Sequence, residues 1–286
     1  MANFKTIVRR LESLAGLDRT ARPLADQAGR ITGRTPVKNF LSGTWLGHPV
    51  HPVLTDLPIG AWAMATLLDI TGGRASSKAA RRLVGMGVLV AIPTAATGTS
   101  DWADTYGADQ RVGLVHGLGN AAAVCLQIVS YLGRKRGHRA IGAALSSVSL
   151  GLVMATGYLG GHLSFGRGIG VNHTAFEEQA IDWVDVASFQ DLASMAKPMR
   201  VVVNGTPVML IRDNDHVVAL SATCVHAGGP LDEGTIIDGS VRCPWHRSIF
   251  RLADGKALRG PASMPQPVWE ARIEDGRVQV RSDTSR

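Results

Sequence analysis

The chain has 286 residues, of which 45% are hydrophobic, and its formal net charge at pH 7 is +7. Residues 1–180 hold 18 Lys and Arg against 10 Asp and Glu, whereas residues 181–286 hold 12 against 13. No stretch interleaves basic with aromatic side chains, so the positive charge does not indicate nucleic-acid binding and no nucleic-acid partner is expected. The change in charge predicts a domain boundary near Ile181.

Residues 1–46 form a polar and basic N-terminal tail. Some of its apolar residues recur at helical spacing, which would place them along one stripe of a helix. They are Phe4, Val8, Leu11 and Ala15. Two interpretations stay open: an amphipathic helix that lies at a membrane surface, or a frayed tail.

Four apolar stretches follow within residues 47–175, and each is close to the ~20 residues that a helix needs to cross a bilayer. Short polar loops separate them, which argues against a soluble bundle of fully buried helices. The stretches are residues 53–70, 83–102, 112–132 and 140–160. The sequence therefore predicts a four-helix transmembrane bundle with an up-and-down order.

Histidines lie near the ends of these stretches. In an up-and-down bundle, His51, His116 and His162 share one membrane face with whatever follows the fourth span. Ionisable side chains at membrane depth are costly and mark a functional site by default, and imidazole is an ordinary axial ligand of haem. The three histidines are a candidate site for haem b or a quinone. A proton relay, or histidines that only form hydrogen bonds, are the alternatives.

Residues 47–60 read Gly-His-Pro-Val-His-Pro-Val-Leu-Thr-Asp-Leu-Pro-Ile-Gly. This segment resembles an uncharacterised bacterial family of four-span membrane domains with a His-Pro motif before the first span. Residues 160–162 (Gly-Gly-His) and 170–173 (Gly-Val-Asn-His) extend the resemblance, which covers roughly residues 40–175. It implies a multi-pass protein of a bacterial cell membrane, and it implies the fold more than the chemistry.

From residue 176 the pattern changes to short strands. Two apolar runs flank Asn204-Gly205, which is a favoured hairpin turn. The same signal recurs at Asp238-Gly239, Asp254-Gly255 and Asp275-Gly276. Short strands with regular turns of this kind predict a small antiparallel β domain over residues 176–286. The predicted fold class is therefore α + β in two domains, a four-helix transmembrane bundle followed by a small all-β domain.

Two short motifs in the β region carry the strongest chemical signal. Cys224-Val-His226 and Cys243-Pro-Trp-His246 each offer one thiolate and one imidazole, and sixteen residues separate them. A [2Fe-2S] cluster with two Cys on one iron and two His on the other needs this set. A structural zinc ion also accepts two Cys and two His, but zinc modules usually pair Cys-x-x-Cys with a His-rich segment. The mixed order favours the cluster.

The two motifs resemble the cluster loops of a Rieske iron–sulfur protein. The first continues as Ala-Gly-Gly-Pro-Leu and the second as Arg-Ser-Ile-Phe. The resemblance implies one [2Fe-2S] cluster that takes one electron at a time. It also implies that Gly229 and Pro230 support the cluster, and that the Ser248 hydroxyl can donate a hydrogen bond to cluster sulfur.

Three features depart from the respiratory members of that family. Arg247 stands where the family usually has Gly. Phe250 stands where high-potential members have Tyr, so one hydrogen bond that would raise the potential is missing. The remaining cysteine, Cys125, lies far away in an apolar segment, so the loop disulfide of the respiratory type is missing too. The ferredoxin-like branch is the better match.

The membrane side of the cluster is left open by conflicting signals. Residues 74–82 and 134–139 each carry four Lys or Arg, and the positive-inside rule places such loops in the cytoplasm, with the cluster outside. The basic tail favours the opposite orientation, and Arg9-Arg10 is not followed by the apolar run of a twin-arginine export signal. We expect a cytoplasmic cluster.

Together these features predict a membrane-anchored iron–sulfur protein that passes single electrons between a redox partner and a site in its membrane domain. The expected partners are electron donor and acceptor proteins or a quinone, together with membrane lipid. A non-catalytic redox sensor and a component of a multi-subunit quinone-linked oxidoreductase are the alternatives. A self-contained Rieske oxygenase is not expected, because only about forty residues follow His246 and the β domain needs them.

Overall fold

The computed structural model describes residues 4–193 and 197–283. It divides the chain into two compact units, which we call the membrane unit and the β unit. The membrane unit is Met1–Arg34 with Val50–Ile169, and the β unit is Thr35–Pro49 with Gly170–Arg286. The tail of residues 1–46 is thus shared between the two units, and its first three residues lie outside the described part of the chain.

Helices dominate the first part of the chain. The α-helices there are α1 (Phe4–Ser13), α2 (Asp18–Thr32), α3 (Thr35–Ser42), α4 (Val50–Thr71), α5 (Ser77–Trp102), α6 (Gly107–Lys135) and α7 (Arg139–Gly161). A short helix, α8 (Phe189–Ala193), lies later in the chain, within the β unit. Within the described residues, α4, α5, α6 and the helix that begins with α7 are long and apolar enough to cross a membrane. The predicted four-helix bundle is confirmed.

Polar side chains inside the bundle are paired between helices. The Ser146 hydroxyl donates to the Gln127 side chain at 2.9 Å, and the Ser149 hydroxyl donates to the Ala123 carbonyl at 2.9 Å. At the C-terminal end of α6, the Arg134 guanidinium donates to the Asp69 carboxylate of α4 at 2.8 Å, and both side chains are buried. Pairing of this kind is needed because lipid offers no partner to a polar group.

The two N-terminal helices pack on the ends of the spanning helices. Val8 of α1 is buried against Val112 and Leu159, so the apolar stripe of the tail has a protein partner. The Asp18 carboxylate of α2 accepts from the Arg111 guanidinium at 2.6 Å. Apolar and charged contacts therefore both hold the tail to the membrane unit.

In the described part of the β unit, ten short strands form two antiparallel sheets. The larger sheet has the order β1-β10-β9-β4-β3-β2 and the smaller has the order β5-β6-β7-β8. The strands are β1 (Val184–Ser188), β2 (Met199–Val203), β3 (Thr206–Asp213), β4 (His216–Ser221), β5 (Thr235–Ile237), β6 (Ser240–Arg242), β7 (Ile249–Arg251), β8 (Ala257–Arg259), β9 (Val268–Glu274) and β10 (Arg277–Ser282). The predicted all-β fold is confirmed.

Most of the predicted turns form for the expected reason. Asn204-Gly205, Asp238-Gly239 and Asp275-Gly276 each place both residues at positive φ, as the two-residue hairpin turn that suits twisted strands requires. At Asp254-Gly255 only the glycine has positive φ. There the Asp254 carboxylate instead accepts from the Lys256 backbone N–H at 3.0 Å, which makes an Asx turn.

Candidate metal centre

The two Cys/His motifs lie in loops of the same form, which we call loop one (residues 224–230) and loop two (residues 243–248). In loop one the Gly228 N–H donates to the Cys224 carbonyl at 2.8 Å, and in loop two the Arg247 N–H donates to the Cys243 carbonyl at 3.2 Å. The N–H of each Cys donates to the carbonyl five residues on, at 2.8 Å in both loops. The two motifs thus form matching tight turns, of which loop two connects β6 to β7.

The fourth residue after each Cys adopts the left-handed backbone conformation. Gly228 has a φ of 75° and Arg247 a φ of 64°. Glycine adopts this conformation at little cost, whereas an ordinary L-residue loses roughly 1–2 kcal/mol. Arg247 therefore keeps the backbone shape that a glycine would favour, and the departure from the family pattern changes the side chain rather than the loop.

An Arg247→Gly substitution is expected to stabilise the β unit by about 0.5–1 kcal/mol, because relief of the left-handed strain exceeds the extra freedom of glycine in the unfolded chain. Thermal unfolding of the full chain, followed by its near-ultraviolet circular dichroism, measures the change. Gly228→Ala is the matched control, since it makes the reverse change at the corresponding position of loop one. A stabilising Gly228→Ala, or a destabilising Arg247→Gly, would contradict this reasoning.

The thiols of Cys224 and Cys243 lie within hydrogen-bond distance of each other. Cys224 and Cys243 are 1% and 2% exposed and belong to the same buried apolar cluster as Phe250. The hydrogen bond between the two thiols lowers the pKa of Cys243 to about 7 and raises the pKa of Cys224. The hydrogen bond thus favours deprotonation of Cys243 next to Cys224. The deprotonated thiolate is the form of cysteine that binds a metal.

The two imidazoles form a second pair. The ring centroids of His226 and His246 lie 5.0 Å apart, with an interplanar angle of 81°. Nδ1 of His226 is buried and has no hydrogen-bond partner. Burial of the ring is the largest cause that lowers the pKa of His226 to about 3, and the neighbouring His246 is the next. His226 therefore holds a neutral imidazole with an unused nitrogen, which is the form that binds metals.

The four donors stand as a sulfur pair and an imidazole pair. Within residues 4–193 and 197–283, no three His, Cys, Asp or Glu side chains converge on a position for a single metal ion. A tetrahedral zinc site would bring all four donors around one ion. A cluster with one iron on two thiolates and the other on two imidazoles matches the division into pairs, and the unused nitrogen of His226 fits the same group.

Residues 182–270 match the Rieske [2Fe-2S] domain family. The chain is 32% identical over 84 residues to the anthranilate 1,2-dioxygenase ferredoxin subunit of Burkholderia cepacia. The matched residues are 29% of this chain and 78% of that subunit. The chain belongs to the Rieske [2Fe-2S] family. A separate match over residues 47–173 is to the family described as "Predicted membrane protein (DUF2231)". Both resemblances noted in the sequence are confirmed, and the Rieske domain implies a [2Fe-2S] cluster.

Three further proteins match the chain with different coverage. Ferredoxin CarAc of Metapseudomonas resinovorans is 27% identical over 101 residues, which are 35% of this chain and 94% of that ferredoxin. A solved structure, the ferredoxin of carbazole 1,9a-dioxygenase from Nocardioides aromaticivorans IC177, is 28% identical, with a TM-score of 0.34 over 35% of this chain and 98% of its own. Apoptosis-inducing factor 3 of Homo sapiens is 36% identical over 75 residues, and the chain spans 12% of its length.

Three further residues of the Rieske loops have contacts that bear on their expected roles. A Cβ added at Gly229 would lie 3.1 Å from Cys243 Sγ, so loop one passes close to the sulfur of loop two. Ser248 is buried, and its Oγ accepts from the Ala262 N–H at 3.0 Å, which leaves its own hydrogen to donate. Pro230 pairs with Thr223 in an isolated bridge that closes loop one.

Gln266 is a structural part of the Rieske site that the motifs did not indicate. Its side chain is fully buried, accepts from the Val225 N–H at 3.0 Å and donates to the carbonyls of Ser221 at 2.9 Å and Thr223 at 2.6 Å. It thereby fixes the backbone on both sides of Cys224. The only sequence signal is a lone amide between two prolines, Pro265 and Pro267, in a segment with no strand pattern.

The three candidate histidines of the membrane unit, His51, His116 and His162, each lie within hydrogen-bond distance of a protein group. Nδ1 of His51 lies 3.1 Å from the Thr94 carbonyl, and Nδ1 of His116 lies 2.8 Å from the Thr156 carbonyl. Nε2 of His162 lies 2.9 Å from the Glu12 carboxylate. These contacts join α4 to α5, α6 to α7, and the end of the fourth span to α1. They describe hydrogen-bonding histidines and provide no support for haem b.

Proposed function

We propose that this chain is a membrane-anchored carrier of single electrons. Four side chains would hold its cluster, with Cys224 and Cys243 on one iron and His226 and His246 on the other. The observation that supports this most is the separation of the donors into a buried thiol pair and an imidazole pair. When bound, such a cluster accepts and returns one electron at a time.

A carrier role agrees with what lies around the donors. Trp245 is 53% exposed, and Pro244 and Arg247 beside it are exposed as well, so loop two offers a surface that a redox partner could approach. Two relatives that the chain matches over 94% and 78% of their own length are named as a ferredoxin and a ferredoxin subunit. The four spanning helices supply an anchor that keeps the carrier at a membrane.

The decisive experiment is spectroscopy of the purified full chain in detergent. We expect broad bleaching of visible absorption on reduction with dithionite, an electron paramagnetic resonance signal of a reduced cluster, and about two iron atoms and two acid-labile sulfides per chain. A colourless protein that contains zinc and lacks sulfide would refute the carrier function. Because a protein that lost its cluster during purification is also colourless, a colourless sample must first be incubated with iron and sulfide to reconstitute the cluster.

Electron transfer to a site inside the membrane unit is the second candidate function. Its support is that His51 and His116 lie within spanning helices, where ionisable groups are costly and usually functional. If a quinol donates electrons there, His51→Ala and His116→Ala should each slow cluster reduction by quinol without changing the cluster spectrum. A sharp haem band in the reduced-minus-oxidised spectrum would show a second centre instead. Unchanged quinol kinetics in both variants would leave the membrane unit as an anchor.

For the orientation we propose a cytoplasmic Rieske domain in a bacterial cell membrane. The basic tail supports this placement, because positively charged segments that flank spanning helices favour the cytoplasm. Protease added to intact spheroplasts should leave the domain uncut, while inverted vesicles should lose it. Cleavage in spheroplasts would place the domain outside.

A further inference from the structure

The segment before the first span, Thr35–Pro49, is part of the β unit. The Asn39 side chain of α3 accepts from the Gly260 N–H at 2.9 Å. In the turn after α3, the Thr44 hydroxyl donates to the Ala262 carbonyl at 3.0 Å. These contacts hold α3 and its turn against the chain that follows β8, so a segment far from the Rieske motifs in sequence has a fixed place on the Rieske domain.

The docked helix leaves an apolar face uncovered. Lys38 and Ser42, which are four residues apart, are buried. Val37 and Phe40, which are three residues apart, are 40% and 67% exposed. Residues three or four apart lie on the same face of a helix, so α3 covers a polar face and leaves an apolar face open. A helix at a water-facing surface does the reverse, because it buries its apolar stripe.

The open apolar face continues into the turn after α3 as two stacked aromatic rings, Phe40 and Trp45, which we call the aromatic pair. Their ring centroids lie 6.2 Å apart with an interplanar angle of 15°, and Trp45 is 63% exposed. The Trp45 indole N–H donates to the Phe40 carbonyl at 3.1 Å. That N–H is the only donor of the ring, so the ring can leave water without losing a hydrogen bond.

The chain itself ties the aromatic pair to the first spanning helix. Trp45 is five residues before Val50, where α4 begins, and even a fully extended chain of that length reaches at most ~18 Å. Leu46, the next residue, is 49% exposed. Tryptophan is enriched at both interfaces of a bilayer, where its ring lies at the level of the headgroups. The position of the pair therefore indicates lipid as the material that covers it.

The charge of this stretch also suits a lipid surface. No Asp or Glu occurs between Asp26 and Asp56 in the sequence, and Arg34 directly precedes α3. Basic residues close to a membrane are attracted to anionic headgroups. Nothing in this stretch of sequence repels them.

We propose that the aromatic pair, together with Val37 and Leu46, seats the Rieske domain in the interfacial layer of a lipid bilayer. The inference goes beyond electron transfer, because it concerns where the domain is held and not what it carries. The hydrogen bonds of Asn39 and Thr44 connect the pair to the Rieske domain, so lipid that binds the pair also holds the domain. A domain seated in this way meets its redox partners at the membrane surface.

The test attaches a spin label to the full chain in vesicles of phosphatidylcholine and phosphatidylglycerol. A Val37→Cys substitution in a Cys125→Ala background carries the label, since Cys224 and Cys243 are buried. Collisions of the label are measured with oxygen, which concentrates in lipid, and with a nickel chelate, which stays in water. The ratio of oxygen to nickel collisions should be several-fold higher than for a label at Val202→Cys. Val202 is a matched control, because it is an apolar residue of β2 that is 66% exposed in the same unit.

Two further variants show whether the aromatic pair is what holds the segment in lipid. Phe40→Ser combined with Trp45→Ser should lower the collision ratio of the Val37 label to that of the Val202 label. Phe40→Tyr combined with Trp45→Phe keeps two aromatic rings and should retain the high ratio. The second combination protects the test against a serine variant that misfolds, because it changes the same positions without removing the rings.

Three outcomes would overturn the proposal. The first is a ratio at Val37 as low as that at Val202, which would mean that α3 faces water. The second is a high ratio that survives both serine substitutions, since the link to α4 alone would then hold the segment at lipid. The third is an equally high ratio at Val202, because the domain would then have no preferred side toward lipid. The carrier function stands or falls separately, on the cluster spectrum of the same samples.

Discussion

A Cys243→Ala variant of the full chain is expected to lose its cluster, and its iron content should fall from about two atoms per chain to near zero. Cys243 is buried beside Cys224, and removing its sulfur leaves one iron with a single protein ligand. The visible absorption and the resonance signal of the reduced cluster should disappear together. Iron analysis and optical spectroscopy of the purified variant check this result.

Cys125→Ala is the matched control, because it removes the third cysteine of the chain from an exposed position of α6. It should retain both iron and absorption at the parent level. The variant of Cys224 should behave like that of Cys243. If Cys243→Ala keeps a cluster of normal stoichiometry, or if Cys125→Ala loses it, the assignment of the thiol pair fails.

The parts of the site that could be predicted are those encoded over a few adjacent residues. Cys224 and His226 are two residues apart, and Cys243 and His246 are three apart, so each pair is readable without knowledge of the fold. The paired positive φ values at Asn204-Gly205 are equally local. In both cases the signal lies in residues that are adjacent in sequence, so it can be recognised without knowledge of the tertiary packing.

The spanning helices were predictable in number and less so in their ends. The apolar stretch at residues 112–132 marks α6, but the helix runs over Gly107–Lys135. Hydropathy detects only the residues that avoid water. The first turn of α6 is held by polar contacts instead, such as the Gln110 amide that donates to the Thr105 carbonyl at 2.9 Å.

The docking of α3 on the Rieske domain could not be predicted from sequence. Asn39 is separated from its partner Gly260 by 221 positions, and an Asn–backbone contact leaves no periodic pattern. Gln266 was missed for a related reason. A single buried amide is informative only once the carbonyls around it are known.

Gln266→Ala is expected to destabilise the Rieske domain by about 3–5 kcal/mol, because it leaves a buried N–H, a buried carbonyl and a part-buried carbonyl without their side-chain partner at roughly 1–3 kcal/mol each. Those groups belong to Ser221, Thr223 and Val225, on either side of Cys224. The cluster should therefore be lost at a temperature more than ~10 °C lower than in the parent. Heating the full chain while recording cluster absorption measures this.

Gln179→Ala is the control for this change, because the Gln179 side chain is exposed in the same unit and only its backbone carbonyl accepts a hydrogen bond, from Asn204. It should leave the temperature of cluster loss within about 2 °C of the parent, as surface substitutions usually do. A Gln266→Glu variant tests whether the hydrogen bonds of Gln266 stabilise the domain or only the volume of its side chain does. It keeps the volume and the acceptor for Val225 but removes both donors, so it should be nearly as unstable as Gln266→Ala. A parent-like Gln266→Glu would mean that the amide fills space rather than bracing loop one, and that the position of Cys224 is set by the strands alone.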